Sequence, residues 1–328
     1  MNWKSIFLAF FAFPVGLSGT ASTAAAADKV KVVALEGIQL FPMQIMETKG
    51  IAKKYGIDVD LMRVASPTAS YTVMQTGDFN IGFGGWLSVA VLREKGFKLS
   101  NVYSMVGYTV EMMVRADSPL KSLAELKGKR LGLFGGANAA TTWLFRVVSV
   151  KLFGSDPIKD AKIYFGAPPL LIGMLDRGEL DAVLILDPFI TQLLETGNYR
   201  SIANLGNLWR EKTGQHPMLV AVTVNEPWAK ANPEVAKRFV SAYKEALVYL
   251  KTKPEVWPEI AKAMRVKTEK GARLLYERTE NALITRWDKQ FIDEQLAYAE
   301  ELYKVFGAQS DIPAKIPGGT FDMSYAPQ

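Results

Sequence analysis

The feature that most constrains the fold is a local order that repeats along the chain: an apolar strand, then a glycine-rich or acidic turn, then a helix. The turns lie at residues 36–39, 84–86, 135–141 and 187–188. Strands that alternate with helices predict an α/β fold with mostly parallel sheets. Ligands of such folds bind beyond the carboxyl ends of the strands. We therefore expect the four turns to meet in one crevice and to form a binding site between two lobes.

The first residues of the chain predict export from the cytoplasm. Lys4 is followed by an apolar run at residues 6–17, which is too short to span a bilayer, and then by small residues that end in Ala25-Ala26-Ala27. This is the pattern of a secretory signal peptide with an A-x-A cleavage site. We expect residues 1–27 to be removed and the protein to work in the periplasm. An uncleaved membrane anchor is the alternative.

Composition limits the class of protein. A chain of 328 residues with 49% apolar residues can fold as two domains with sizeable cores. It contains no cysteine, which rules out disulfides and cysteine-ligated metal sites. The net charge is +6, and the Lys and Arg residues are scattered without a run of five. This pattern indicates no nucleic-acid partner, although the positive charge weakly favours anionic solutes.

Catalytic motifs are missing from the sequence. His216 is the one histidine, and neither HExxH nor GxSxG occurs. The stretch LGLFGGANAATT lacks the GKS/T of a phosphate loop and does not read GxGxxG. We expect no catalytic residue, no metal and no cofactor, and therefore a protein that is not an enzyme. A two-lobed periplasmic enzyme or a ligand sensor with the same fold is the alternative.

Four segments, in this order along the chain, resemble the periplasmic solute-binding proteins of ABC importers in their sulfonate, taurine and nitrate branch. The segments are MQTGDFNIGFGG (residues 74–85), SPLKSLAELKGKRLGL (118–133), APPLLIGMLDRGELDAVLILDPF (167–189) and VNEPWAKANPEVAKRFVSAYKEA (224–246). The resemblance implies an α/β, two-lobed periplasmic binding protein of type II with two crossing hinge strands. It places lobe one at residues 28–113 plus 220–328 and lobe two at 114–219. It also implies a monomer that binds a small-molecule ligand and delivers it to an ABC permease with its ATPase.

The turn at residues 135–141 is the first part of the predicted site. The backbone N–H groups at the start of the following helix, together with its dipole, suit an anion. Sulfonate-type relatives carry Ser or Thr here, whereas this chain has alanines. The predicted contacts are Asn138, Ala139, Ala140 and Thr141. Alternatively, Asn138 or Thr141 caps the helix itself.

Trp86 and the preceding Gly85 are the second part of the predicted ligand site. An indole offers a flat apolar face and one N–H donor, which suits a planar or bulky ligand. The alternative is that Trp86 packs beneath its own helix. Two turns that are poor in hydroxyl groups, together with Trp86, favour a ligand less polar than a small sulfonate. Short sulfonates, aromatic acids and pyrimidine-like heterocycles all remain open, and nitrate is the least favoured.

The remaining predicted contacts lie at other strand ends. Glu111 matches an acid that taurine-type relatives carry and that suits an ammonium group, but the partner acid expected near residues 219–220 is absent. Glu111 is alternatively a solvated edge residue. Asp187 either lines the cleft or caps a helix. Gln39, Tyr108 and Phe189 complete the predicted site.

Overall fold

A computed structural model of the chain describes residues 26–35, 37–64, 67–137, 139–307 and 310–327. In these residues the strands are β1 (Asp28–Leu35), β2 (Ile57–Val64), β3 (Ile81–Gly85), β4 (Leu99–Gly107), β5 (Glu111–Arg115), β6 (Arg130–Phe134), β7 (Lys162–Gly166), β8 (Ala182–Ile185), β9 (Tyr199–Asn204) and β10 (Met218–Asn225). Residues 1–25 of the predicted signal peptide lie outside the described residues.

The α-helices of the described residues occupy the connections between the strands and most of the chain after β10. They are α1 (Leu40–Thr48), α2 (Ile51–Lys54), α3 (Pro67–Thr76), α4 (Trp86–Glu94), α5 (Ala140–Phe153), α6 (Pro157–Asp160), α7 (Pro168–Asp176), α8 (Phe189–Thr196), α9 (Leu205–Thr213), α10 (Glu226–Ala231), α11 (Pro233–Thr252), α12 (Trp257–Ala263), α13 (Glu269–Glu280) and α14 (Lys289–Phe306). None of the helices that the structure describes is both long and apolar enough to cross a membrane.

The described strands form two five-stranded sheets that are built alike. The first has the order β2-β1-β3-β10-β4, and the second has the order β7-β6-β8-β5-β9. In the first sheet β10 runs antiparallel to both neighbours, and in the second β5 does so. The chain passes to the second sheet through residues 108–110 and returns through residues 205–217. Two connecting segments between two α/β lobes are the predicted type II arrangement, and the predicted fold class is confirmed.

The exact extent of each lobe stays a prediction. The expected boundaries at residues 113/114 and 219/220 both fall inside strands, the first within β5 and the second within β10. β5 pairs with β9 over its whole length and with β8 over residues 111–113, and β10 pairs with β3 and β4.

Alternating side chains of the first sheet enter two separate cores, because successive residues of a strand point to opposite faces. Val32 of β1 belongs to the large core that includes residues of α1 and α11. Its neighbour Val33 belongs to a smaller cluster with Met74 of α3 and Val89 of α4. Helices therefore cover both faces of the sheet, which leaves its edges and the carboxyl ends of its strands for other contacts.

The C-terminal segment packs against both lobes. On the first lobe, Asn101 of β4 donates a backbone hydrogen bond to Thr320 and accepts one from Asp322, both at 2.9 Å. On the second lobe, the ring of Phe306 at the end of α14 lies 5.0 Å from the ring of Trp143 in α5. Residues 289–307 and 310–327 thus lie beside the gap between the lobes.

Candidate functional site

A cavity of about 180 Å³ lies where the first-lobe helices α3 and α4 face the N-terminus of α5 in the second lobe. The lining residues are Tyr71, Gln75, Leu87, Ser88, Val91, Leu92, Ala140, Trp143, Asp311 and Ile312. Because α4 follows β3 directly and α5 follows β6 through the glycine turn, the cavity lies beyond the carboxyl ends of strands in both sheets. This is the position that an open α/β sheet offers to a ligand.

Tyr71 and Ser88 form the polar wall on the first-lobe side. The Tyr71 hydroxyl accepts a hydrogen bond from the backbone N–H of Gly85 at 3.0 Å and also bonds to the Ser88 side chain. Burial raises the pKa of Tyr71. The phenol therefore stays protonated at neutral pH and can donate to a ligand atom. Gly85 permits this close approach, since a Cβ there would lie 3.2 Å from the Tyr71 hydroxyl oxygen.

The opposite wall is the start of α5. Its N-cap is Ala139 in extended conformation, and no described side chain caps the helix. Thr141 donates its hydroxyl to the carbonyl of Phe134 at 3.3 Å, and Thr142 donates to Gly136 at 2.7 Å. The two hydroxyl groups therefore stabilise the turn, and among the described residues no side chain accepts from the first N–H groups of α5. The predicted contact Asn138 lies outside the described residues.

The glycine pair of this turn has a conformational cause. Gly135 and Gly136 have φ values of 99° and 102°, which residues with a Cβ rarely adopt. Both glycines lie between the end of β6 and the start of α5.

The part of the lining that the structure describes contains no lysine or arginine, and its one charged residue is Asp311. Arg146 lies on α5 beyond Trp143, but its guanidinium group already has partners. It donates to Asp156 at 3.0 and 2.7 Å and lies 4.7 Å from the ring of Trp143 and 4.1 Å from the ring of Phe306. The described lining thus combines aromatic rings, hydroxyl groups, an amide and the carboxylate of Asp311, and the nearby guanidinium of Arg146 is already paired.

Glu111 and Asp187 come together at the same edge of the second sheet, and the residue that joins them is Arg278 of α13. Arg278 donates to Asp187 Oδ2 from Nε at 2.9 Å and to Glu111 Oε1 from Nη1 at 2.9 Å. Burial by itself lowers the pKa of Arg278, but the charges of Asp187 and Glu111 and their hydrogen bonds raise it overall, so the guanidinium is always charged. Neither carboxylate lines the cavity.

Four other predicted ligand contacts bond to or pack against other residues of the protein: Gln39, Trp86, Tyr108 and Phe189. Gln39 accepts a hydrogen bond from the Leu35 backbone at 2.8 Å and so closes the turn after β1, of which Glu36 lies outside the described residues. Trp86 is 1% exposed and packs on Phe321.

Tyr108 and Phe189 lie in apolar surroundings. The Tyr108 hydroxyl is 3.3 Å from that of Tyr298, and Phe189 packs against the apolar cluster under α8. Of the predicted residues, Ala140 lines the cavity, and Gly85 touches it through Tyr71. Contact of any predicted residue with a ligand stays a prediction.

Tyr71, Gln75 and Ser88 were not predicted from the sequence. Tyr71 and Gln75 are four residues apart on α3 and therefore share one face, and Ser88 follows the glycine turn of β3. This spacing is a signal, but it is equally typical of a helix face that packs in a core. Among the residues that the structure describes, no group of three or more acids and histidines could hold a metal.

Comparison with known proteins identifies the family. A model described as NMT1/THI5 like matches residues 38–256, which is more than half of the chain. The chain belongs to the NMT1/THI5-like family. The resemblance to taurine-, nitrate- and sulfonate-binding proteins that the sequence predicted is confirmed.

Relatives of this NMT1/THI5-like chain carry two kinds of name. The 4-amino-5-hydroxymethyl-2-methylpyrimidine phosphate synthase THI13 of Saccharomyces cerevisiae is 22% identical over 66% of this chain, which spans 65% of the yeast protein. The taurine-binding periplasmic protein of Escherichia coli is 24% identical over 63% of this chain and 62% of its own length. The match therefore covers a little less than two thirds of either relative.

Among solved structures, the periplasmic aliphatic sulphonate-binding protein SsuA of Escherichia coli has a TM-score of 0.70 at 16% identity, over 90% of this chain and 93% of its own. SsuA from Xanthomonas axonopodis pv. citri, bound to MOPS, also has a TM-score of 0.70 at 17% identity, over 91% of this chain and 99% of its own. At this level of identity the likeness concerns the fold.

Proposed function

We propose that the protein is the solute-binding component of an ABC importer, which captures a small organic solute between its lobes in the periplasm and delivers it to a membrane permease. The observation that carries the proposal is the cavity of about 180 Å³ between α3 and α4 of one lobe and the start of α5 in the other, which no described side chain caps. A solute that contacts both walls binds the closed arrangement better than the open one, and so it favours closure. The names of the taurine- and sulphonate-binding relatives support the same role.

The lining supports a flat, uncharged solute. Tyr71 and Trp143 offer aromatic faces, Gln75 and Ser88 offer hydrogen bonds, and the first N–H groups of α5 suit an acceptor such as a ring nitrogen or a carbonyl oxygen. A small sulfonate would find these N–H groups but, among the lining residues that the structure describes, no lysine or arginine. We therefore favour an aromatic heterocycle of one ring with short polar substituents.

The test is thermal unfolding of the protein from Asp28 onward with 4-amino-2-methylpyrimidine, benzoate, benzenesulfonate, propane-1-sulfonate, taurine and nitrate. A solute at a hundred times its dissociation constant stabilises the protein by about 2.7 kcal/mol, which shifts the midpoint by several degrees. We expect the pyrimidine to give the largest shift. A shift with small sulfonates only would contradict the solute class, and no shift with any of them would contradict the site.

Gln75 provides a control within the cavity. It is exposed on α3, so Gln75→Ala should leave the fold intact and reduce the shift caused by the solute. Gln290→Ala removes an equally exposed amide from α14 and should leave the shift unchanged. Equal shifts in both variants would place the solute elsewhere.

We infer that the protein binds its solute without converting it. The yeast relatives are named as synthases, so conversion is the alternative to be tested. Of the lining residues that the structure describes, Tyr71 and Asp311 carry a titratable group, and the raised pKa keeps the Tyr71 phenol protonated at neutral pH, so that it is not available as a general base. The solute should be recovered with unchanged mass after prolonged incubation with the protein, and a time-dependent product would contradict the inference. We also propose that the protein is a monomer, which light scattering after gel filtration tests directly.

A further inference from the structure

Arg278 joins the C-terminal helices to the second sheet through a buried ion-pair network. Its Nη1 donates to Glu111 Oε1, and its Nε and Nη2 each lie 2.9 Å from Asp187 Oδ2. The side chain of Arg278 is 15% exposed, while those of Glu111 and Asp187 are 5% and 3% exposed. All three groups are therefore largely removed from water, where the loss of one partner leaves the others without compensation.

The second sheet holds the two carboxylates in fixed positions. Asp187 Oδ1 accepts hydrogen bonds from the backbone N–H and the hydroxyl of Thr191, at 3.1 and 2.6 Å. Glu111 Oε1 accepts a hydrogen bond from the Asn204 side chain at 2.8 Å. Glu111 begins β5 and Asn204 ends β9, so the network lies at the edge of the sheet that faces the first lobe.

The helix that carries Arg278 packs on helices of the first lobe, although its N-cap, Thr268, also donates its hydroxyl to Glu195 of second-lobe helix α8 at 2.9 Å. In the same helix, Tyr276 donates its hydroxyl to the carbonyl of Lys251 in α11 at 2.9 Å, and its ring lies 5.7 Å from that of Trp257 in α12. Trp257 in turn packs on Phe41 of α1. The ion pairs of Arg278 thus cross from first-lobe helices to second-lobe strands.

We propose that Arg278 is a positioning residue for solute binding, which holds the two lobes together before the solute arrives. It does so from outside the cavity lining. The consequence for affinity rests on the proposed function: if the solute binds the closed arrangement, apparent affinity falls in proportion to the closed fraction. The effect on lobe separation needs no solute and holds whichever molecule the cavity takes.

The network also has an uneven charge, since two carboxylates face one guanidinium. Lysine cannot replace this geometry, because its single ammonium group cannot donate to two carboxylates in the planar fork of an arginine. Arg278→Lys should therefore retain part of the effect, whereas Arg278→Gln should lose it. This graded response separates the role of the ion pairs from a loss of side-chain volume.

The experiment measures the distance between the lobes by double electron–electron resonance on the chain from Asp28 onward. The chain has no cysteine, so Asp58→Cys and Lys162→Cys introduce unique spin-label sites, exposed on the outer strands β2 and β7 of the two sheets. Both labels are placed in the same molecule, and the distance between them is measured without solute in the otherwise wild-type protein and in Arg278→Lys, Arg278→Gln and Arg286→Gln. Arg286 is the matched control, since it pairs with Asp288 and Glu294 at 3.0 Å but is 40% exposed.

We expect Arg278→Gln to increase the long-distance population about tenfold or more, Arg278→Lys to give an intermediate value, and Arg286→Gln to match wild type. The same distance distribution in wild type and Arg278→Gln would overturn the proposal. If Arg278→Gln does not fold, the triple variant Arg278→Met, Glu111→Gln, Asp187→Asn removes all three charges together and is measured instead. A wild-type distribution in the triple variant would also overturn it.

Discussion

The indole ring of Trp86 packs against the ring of Phe321, with the two centroids 5.1 Å apart and the ring planes at 41°. The ring centroid of Phe321 also lies 5.9 Å from that of Trp287. Trp86, at the start of α4, therefore belongs to a cluster of three aromatic rings with Phe321 and Trp287. Trp86 is 1% exposed. We predict that Trp86→Ala lowers the free energy of unfolding by about 3–5 kcal/mol, because it removes a large buried ring and leaves a cavity. Chemical denaturation measures this loss.

Trp86→Phe serves as the control, since it keeps an aromatic contact with Phe321 and should retain most of the stability. The sequence also predicts Trp86 as a ligand contact, and the two roles give different results. A Trp86→Ala variant of unchanged stability with a solute affinity reduced more than tenfold would contradict the packing role and support the contact.

The two segments that connect the lobes touch at Gly206. A Cβ at this position would lie 2.4 Å from the backbone carbonyl oxygen of Tyr108, which belongs to the other connection. Gly206→Ala must push the two segments apart, and we predict a loss of about 1–3 kcal/mol in the free energy of unfolding. Gly318→Ala is the control because a Cβ there meets no atom within 4 Å. Equal stability of the two variants would contradict the predicted close contact.

Much of the first sheet could be predicted because its strands are short apolar runs that end at glycine turns. β1 and β3 were predicted in this way, but β4 was missed. The strand LSNVYSMVG is buried along its whole length and carries polar residues inside. Their partners are distant in sequence: Ser104 donates to the Ile284 carbonyl at 2.8 Å, and Asn101 accepts from Thr223 at 3.0 Å. A local pattern cannot reveal that a polar residue is satisfied in this way.

The candidate site was likewise predicted only where it depends on local sequence. The glycine turn before α5 was predicted, because an apolar strand, a glycine pair and a helix start follow one another in the sequence itself. The contact of Tyr71 with Gly85 depends on how α3 packs on the sheet, which local spacing does not determine. Likewise, the resemblance to taurine-type relatives led us to look near residues 219–220 for a second acid that would bind a ligand ammonium group together with Glu111. The structure supplies an arginine, Arg278, from 167 residues further along the chain.

Glu226 anchors the C-terminal segment in a pH-dependent way. Burial by itself raises its pKa, but hydrogen bonds from Arg93 and Ser100 bring the pKa of Glu226 below its ordinary value of 4.5. Arg93 also donates to the Gly318 carbonyl at 2.6 Å, so the same ion pair holds the chain end against β4. The folded state therefore binds fewer protons than the unfolded state, and this stability is present above pH 4.5 and lost as pH falls through the folded pKa.

We predict that Glu226→Gln costs about 1–3 kcal/mol at pH 7, because it removes a charge-assisted hydrogen bond from partly buried groups. Its stability should depend less on pH below 4.5 than that of wild type. Denaturation curves between pH 3 and 7 measure both effects. Glu234→Gln changes a glutamate that is 76% exposed and should leave the wild-type curve unaltered. Parallel curves for Glu226→Gln and wild type below pH 4.5 would contradict the assignment.

His216 gives a second pH dependence at a higher pH. It lies in the segment that leads back to the first lobe, and its ring packs on Gly107, where a Cβ would lie 2.8 Å from Nε2. Burial, followed by the positive charges of Arg210, Lys251 and Arg286, lowers the pKa of His216 below 6.5. The unfolded state therefore binds the proton more readily. Stability is fully present above pH 6.5 and decreases as pH falls through the folded pKa.

We predict that wild-type stability declines between pH 7 and 5 and that His216→Gln removes most of this decline, since a glutamine gains no proton. The effect is separable from that of Glu226, which appears only at lower pH, so a double variant should lose both dependences additively. Denaturation midpoints at half-unit pH steps provide the measurement. An equally steep decline in His216→Gln would mean that another group takes up the proton, and a decline that disappears in Glu226→Gln instead would reverse the two assignments.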